Sequence, residues 1–175
     1  LVGRLRNVKE DGTKFYSVVK HLSAKGAEEV NNIFANTVFA YPKPLSLLQF
    51  LILGSTFFEK DKRTIILDFF AGSGTTGHAT INLNREDNGK RKYILVEMGN
   101  YFDSVTKPRI QKAIYSDNWK DGKPQDKIGI SQMFKYFRLE SYEDCLNNLA
   151  FKNTNKGLFD DNVKEDYLLN YMLDY

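Results

Sequence analysis

Gly72, Gly74 and Gly77 stand in the spacing G-x-G-x-x-G. Asp68 lies four residues before the first of them, and Glu97 lies 20 residues after the last. Glycines so spaced allow a tight turn and let the backbone approach a ligand, and a helix opening from that turn offers unpaired N–H groups. A carboxylate about 20 residues further on, ending the next strand, can accept ribose hydroxyls. The chemistry this points to is the binding of a nucleoside-containing ligand, with a tight strand-to-helix turn that holds no ligand as the alternative. Asp68 bears on which one: it would repel a pyrophosphate, whereas it would attract the ammonium and sulfonium of S-adenosylmethionine (SAM). Bracing the loop or capping the helix is the other role open to Asp68. A phosphate-binding P-loop is excluded, because no G-x-x-x-x-G-K-[ST] occurs.

The elements that must position these residues can be read on both sides of the loop. Thr64 to Phe69 is a continuous apolar run, β-branched at its start, with the pattern of a strand buried on both faces. Thr75 to Leu83 reads as a helix, Asn84 to Lys92 as a polar loop, and Tyr93 to Glu97 as a second buried strand. A strand, a helical crossover and a second strand force parallel pairing, so strands near 64–69 and 93–97 are expected side by side. Upstream, Ala27 to Phe34 reads as a short helix. Pro42 and Pro44 hold Phe39-Ala40-Tyr41-Pro42-Lys43-Pro44 extended, and Leu45 to Phe58 is a strongly apolar helix. Downstream, Tyr101 to Tyr115 is amphipathic with a kink or break at Pro108, 116–129 is a loop, and Met133 to Leu139 alternates as a strand does. Val2, Leu5, Val8 and Phe15 to Val19 indicate short extended pieces near the start, and Val163, Tyr167, Tyr171 and Tyr175 make a helical apolar stripe at the end.

Composition agrees with an ordinary globular domain: 175 residues, 42% hydrophobic and 27% charged, which excludes a disordered tail or a fibre. The single cysteine, Cys145, excludes a disulfide framework within the chain and is read as structural. Two separated histidines, His21 and His78, exclude a His-rich metal cluster, and no metal site is expected; His78 is read as a packed or solvent-facing residue rather than a catalytic one. Apolar stretches fall short of the ~18 residues of a membrane span, and with no signal-peptide pattern the expected compartment is the cytoplasm. Residues 140–175 hold 8 acidic and 3 basic side chains, net −5, so against the total of +3 the first 139 residues carry +8. A basic body suits a polyanion such as nucleic acid, and a mixed solvated surface is the alternative. Trp119 and Tyr115 flank a basic loop and read as anchors of that loop, with stacking on DNA as the alternative.

Asp68-Phe69-Phe70-Ala71-Gly72-Ser73-Gly74-Thr75-Thr76-Gly77 resembles the SAM-binding motif of amino-methylating DNA methyltransferases. The upstream Phe39-Ala40-Tyr41-Pro42-Lys43-Pro44, followed by an apolar helix, resembles that family's second SAM-binding element, in the order of its β arrangement. Asn82-Leu83-Asn84 with Gly89 to Glu97, and later Phe134 to Leu139, resemble most the modification (Mod) subunits of type III restriction–modification systems, which are similar to adenine-specific DNA methyltransferases. The resemblance runs from about Lys14 to Leu149. It implies an α/β, Rossmann-like methyltransferase fold with a mostly parallel sheet, present as its C-terminal portion. Residues 1–36 would end a target-recognition region, 37–139 would bind SAM, and 140–175 would form an acidic helical segment. It implies SAM as cofactor, held by Phe39, Lys43, Asp68, the backbone at Phe70, Gly72, Gly74, Thr75 and Glu97. Lys43 would sit near the methionine carboxylate, with a surface lysine beside a rigid turn as the alternative, and Glu97 would take the ribose. The implied partners are DNA, a second copy of the chain and a restriction (Res) subunit.

The family's catalytic D-P-P-Y-like tetrapeptide occurs nowhere in the sequence. In the β arrangement it lies upstream of the recognition region, so no catalytic residue is assigned, and the chain is expected to be a portion of a methyltransferase that is inactive alone. Two further function classes stay open: a non-catalytic remnant serving as an interaction or dimerisation module, and an NAD-dependent enzyme. Removal of upstream strands would also leave one sheet edge unpaired, so exposed apolar surface or self-association is expected.

Overall fold

The protein is described by a computed structural model over residues 23–148, apart from Lys60. The extended pieces expected before residue 20 and the stripe from Val163 to Tyr175 lie outside these residues. Two compact units are formed, Leu1–Ser131 and Gln132–Tyr175.

In the first unit the chain runs α1 (Ser23–Phe34), α2 (Leu45–Ser55), β1 (Ile65–Asp68), α3 (Thr75–Asp87), β2 (Lys92–Leu95), a π-helical turn (Phe102–Thr106), α4 (Lys107–Tyr115), and a short pair β3 (Trp119–Lys120) and β4 (Lys123–Pro124). β1 and β2 pair in parallel, Ile65 opposite Lys92 and Asp68 opposite Leu95, as the crossover requires. Packing against the sheet comes from α2, α3 and α4. Ile66 joins Leu45, Leu48 and Ile52 of α2 and Ala79 and Leu83 of α3 in one cluster. Tyr93 and Leu95 join Ile81 of α3 and Ile110 and Ala113 of α4 in another.

Burial on both faces, expected for both strands, is not found. Ile65, Leu67, Ile94 and Val96 are exposed, while their neighbours Ile66, Tyr93 and Leu95 are half-buried. Side chains alternate across a strand, and the helices among the described residues pack on one face only. The unpaired edge of β1 borders a groove of about 420 Å³ between the strand and α2, with Asp68 and Thr76 among its lining. The expected exposed apolar surface is thus present on this unit.

Local sequence explains the boundaries. Pro44, extended at φ −70° and ψ 143°, opens α2, and the free N–H of Leu45 is taken by Glu29 Oε2 of α1 at 2.9 Å. The helix stops at Ser55, before the expected Phe58, where Ser55 Oγ donates to the Leu51 carbonyl and Thr56 Oγ1 to that of Ile52. The break anticipated at Pro108 takes the form of the π-helical turn just ahead of it, with Pro108 in the first turn of α4. In the 116–129 loop the chain reverses at Asp121 and Gly122, both at positive φ, to pair β3 with β4 antiparallel. Trp119 anchors it: Nε1–H donates to the Lys112 and Ser116 carbonyls, and Lys112 Nζ lies 4.9 Å from the centroid of its ring.

The polar stretch 84–92 is less of a loop than its composition indicates, because α3 continues to Asp87. Arg91 is buried and donates twice to the Asp87 carboxylate, at 3.0 and 2.9 Å. Lys62 Nζ lies 3.2 Å from the same carboxylate. The Arg91 hydrogen bonds chiefly, with Lys62, hold Asp87 down at about 2, against an ordinary value of 3.8. A depressed carboxylate stabilises the fold fully above its unfolded value, and the contribution is lost as pH falls from 3.8 through about 2. Asp87→Asn is expected to cost about 2 kcal/mol at pH 7 and to flatten the pH dependence of urea unfolding in that acid window. Equal pH slopes for the two proteins there would count against the pairing.

In the second unit, 132–148 contains one helix, α5 (Tyr142–Asn148), capped by Ser141 Oγ accepting from the Asp144 N–H at 3.1 Å. The strand expected at Met133–Leu139 is not formed. Its alternation has no ladder partner among the described residues, and without one the unpaired N–H and C=O groups gain nothing from strand geometry. Burial and the neighbouring carboxylates of Glu140 and Asp144 push the Cys145 thiol up, opposite to the direction an activated nucleophile needs.

Candidate cofactor site

The site stands at the carboxyl ends of β1 and β2. Asp68 is the last residue of β1, and Glu97 lies two residues beyond Leu95, its partner on β2. The two acids are therefore at the same end of the sheet. Between them runs the glycine turn. Gly72 and Gly74 have φ of 53° and 79°, the left-handed region that glycine enters without a Cβ clash. Gly74 caps α3, and Gly77 serves packing: a Cβ there would lie 2.6 Å from Ile110 Cδ1 and 2.9 Å from Leu95 Cδ1.

Both carboxylates hold this turn. Asp68 Oδ1 accepts from the Phe70 N–H at 3.0 Å, and Oδ2 from Thr76 Oγ1 at 2.5 Å. Glu97 Oε2 accepts from the Gly72 N–H at 2.8 Å, and Oε1 from Met98 and Gly99 N–H at 3.0 and 2.8 Å. Burial works to raise the Glu97 carboxyl, but the N–H groups of Gly99, Gly72 and Met98 and the Tyr101 hydroxyl outweigh it and hold it below its ordinary value. Loop bracing by Asp68 is therefore present. It orients the carboxylate without excluding a ligand, since the residue is only half-buried.

Phe39 reaches the turn from the extended segment. Its ring packs edge-on to Tyr101, centroids 5.0 Å apart, and its Cζ lies 3.5 Å from where a Cβ on Gly72 would stand. Phe39, Gly72, Glu97 and Tyr101 thus form one cradle. Thr75 is buried, and its Oγ1 donates to the Lys43 carbonyl at 3.2 Å, tying the proline segment to α3. Lys43 itself is exposed, as is Phe70, whose side chain is 89% accessible. All eight expected residues share this end of the sheet or the segment tied to it, although the contact seen for Lys43 is through its backbone and that of Thr75 is directed inward.

Sequence reading missed several residues. Thr106 Oγ1 donates to the Gly72 carbonyl at 2.5 Å, and Arg109, fully buried, donates to Ser73 and Thr75 from behind the turn. A signal for Arg109 existed: Val105, Arg109 and Ala113 recur every four residues through the π-helical turn and α4, and all three are buried. Tyr101 left none beyond its residue type. His78 is buried, and its Nδ1 accepts from Arg109 Nε–H at 3.3 Å. Burial first, then Arg109 and Arg85, holds its pKa well below the ordinary value, so the imidazole is neutral.

Known proteins place this arrangement in a class. Residues 6–108 match the family model for DNA methylases of the N6/N4 type, and the chain belongs to that DNA methylase family. It is similar to the Mod subunit of the type III restriction–modification enzyme StyLTI of Salmonella typhimurium, 46% identical over 71 residues, 41% of this chain and 10% of that protein. It is 44% identical over 73 residues to the type II methyltransferase M.KpnI of Klebsiella pneumoniae, 42% and 16% of the two chains. With the EcoPI Mod subunit of Escherichia phage P1 it shares 36% over 78 residues, 45% and 12%. The matched stretches thus span between a tenth and a sixth of these relatives' lengths. The resemblance to type III Mod subunits drawn from the motifs agrees with these matches. No helix among the described residues is long and apolar enough to cross a membrane, and no cluster of metal-ligating side chains occurs among them.

Proposed function

We propose that the chain is the SAM-binding portion of an adenine-specific DNA methyltransferase of a type III restriction–modification system, built on a Rossmann-like fold. The observation that carries this reading is the hydrogen bond from the Gly72 N–H to Glu97 Oε2 at 2.8 Å. It locks a left-handed glycine turn between two carboxylates at the carboxyl ends of adjacent parallel strands, where ligands of such sheets bind. The residues fit SAM: a cradle bounded by Phe39 and Tyr101, and two acids for its cationic and ribose groups. Bound SAM supplies a methyl group that is already electrophilic. This chain's part is to orient it: Asp68 faces the amino-acid end, Glu97 the ribose, Phe39 covers the pocket, and the backbone at Phe70, Gly72 and Gly74 with Thr75 and Lys43 shapes the methionine end.

In the same reading, 1–36 end the recognition region, 37–139 bind the cofactor, and 140–175 are an accessory helical segment. The tetrapeptide that accepts hydrogen bonds from the target amine is supplied from outside these 175 residues. The target base leaves the duplex to reach it, DNA being attracted by the basic body. A second copy and a Res subunit complete the assembly, and the open edge of β1 is where further strands pair.

Calorimetric titration tests the reading. SAM is expected to bind and NAD not to bind, and labelled methyl is not expected to enter DNA with this chain alone. Absence of SAM binding by folded protein would overturn the reading in favour of an interaction module, NAD binding would favour a dehydrogenase, and methyl incorporation would refute the need for an external catalytic motif.

A further inference from the structure

Arg109 is an expensive residue to bury. It is 0% exposed, and it forms no ion pair among the described residues, where the salt bridges involve Asp87, Asp117 and Asp103 with other cations. Glu29 acts on it only through space. An isolated charge away from water costs several kcal/mol unless its hydrogen bonds are met, and an apolar side chain would fill the same space between α3 and α4 at less cost. What the guanidinium does with its donors is therefore informative. Nη1 donates to Ser73 Oγ at 2.9 Å, Thr75 Oγ1 at 2.9 Å and the Ser73 carbonyl at 3.4 Å, and Nε donates to His78 Nδ1 at 3.3 Å. Ser73 and Thr75 flank Gly74, the left-handed residue that turns the loop into α3. Thr75 in turn donates to the Lys43 carbonyl, so the same guanidinium reaches the segment that carries Phe39 through a single intermediary.

We infer that Arg109 is the positioning residue of the cofactor loop: from α4 it fixes Ser73 and Thr75, on either side of Gly74, so that the turn presents its outer face to the ligand. The inference rests on the cofactor reading above for what the loop binds, but the positioning itself is a property of the free protein. The Nε–H bond to His78 sets the guanidinium plane and so aims Nη1 at both flanking residues, an orientation that a lysine ammonium, with the same charge on one freely rotating nitrogen, does not reproduce. The neutral state of His78 belongs to the arrangement, because a protonated ring would present a donor to Arg109 Nε–H instead of an acceptor.

Amide hydrogen exchange and SAM titration on Arg109→Lys decide it. The variant keeps charge and most of the volume. Exchange at Gly72 to Thr76 is expected to accelerate ~10–100-fold, the size of losing hydrogen bonds to a charged group, beyond any change at the amides of β1 and β2. SAM affinity is expected to fall by a similar factor; the melting temperature falls as well, because a buried ammonium leaves hydrogen bonds unmet, so the difference in exchange between loop and strands is the deciding readout. Unaltered loop exchange, or acceleration spread evenly over loop and strands, would overturn the inference and leave Arg109 a core residue. If wild-type protein fails to bind SAM, the cofactor reading falls and the exchange pattern alone judges Arg109. Should Arg109→Lys not fold, Ser73→Ala removes one acceptor instead, and it must accelerate exchange of the same amides by ~3–10-fold; no change there would equally refute the positioning role.

Discussion

Gly26→Ala is expected to destabilise the protein by about 3 kcal/mol, the upper part of the range for overpacking a close contact, and to lower the melting temperature by about 6–12 °C. Gly26 lies in α1, where alanine is ordinarily the better helix former, so propensity predicts the opposite sign. Packing decides it. A Cβ on Gly26 would collide with the Pro42 carbonyl oxygen and stand 2.8 Å from the Lys43 carbonyl carbon and 2.9 Å from the Pro44 nitrogen. These are backbone atoms between two prolines whose φ is fixed, so they cannot swing aside as a side chain can. Gly77→Ala is the instructive comparison. Its new methyl would meet Ile110 Cδ1 and Leu95 Cδ1, the ends of flexible side chains, and the smaller loss is expected there. The displaced segment also carries Phe39 and the Lys43 carbonyl that accepts from Thr75, so Gly26→Ala is expected to weaken SAM binding as well. Thermal melts of the two variants check the order, and Gly26→Ala as stable as wild type would show that α1 and the proline segment are not in this contact.

Asp68→Asn is expected to reduce SAM affinity ~10–100-fold while the fold persists, and Asp68→Ala to reduce it further. The two substitutions separate two roles. The carboxylate accepts from the Phe70 N–H and from Thr76 Oγ1; the amide oxygen of asparagine can keep the first of these, and the threonine hydroxyl can rotate to accept from the amide nitrogen. Asparagine therefore retains the turn and loses the charge, whereas alanine loses both, each charge-assisted hydrogen bond being worth ~1.5–3 kcal/mol. If Asp68 acts through attraction to the cationic amino-acid end of SAM, competition by methylthioadenosine, which lacks both positive charges, should change little in Asp68→Asn. Equal losses for the two ligands would show that loop bracing alone is the contribution of Asp68.

Much of this was legible in order along the chain. An unbroken apolar run, a glycine turn, a helix and a second apolar run leave parallel pairing as the sterically available solution, and β1, α3 and β2 follow it. Asp68 and Glu97 share one end of the sheet because each follows its strand in the same direction. The glycines could be read because a left-handed turn and a tight helix–strand contact both penalise any Cβ. These are local demands, or demands relayed through one crossover, and residue type with spacing is enough to express them.

Tertiary structure decided what depends on partners distant in sequence. Alternation at Met133–Leu139 stated a tendency to extend, but a strand exists only with a neighbour to complete its hydrogen bonds, and none is found among the described residues. Apolarity at Ile65, Leu67, Ile94 and Val96 stated that something should cover them; on which face the helices pack could not be read, and these four lie on the opposite, open face. Gly26, 16 residues before Pro42, is indistinguishable in sequence from a weak helix position until α1 is laid against the proline segment. Arg109 is one of 25 basic residues, and its helical spacing hints at burial, yet only the approach of α4 to α3 brings its guanidinium to Ser73 and Thr75. The physical reason is common to all four: sequence periodicity specifies which side of an element seeks contact, whereas the identity of the atoms across that contact is set by how the elements pack.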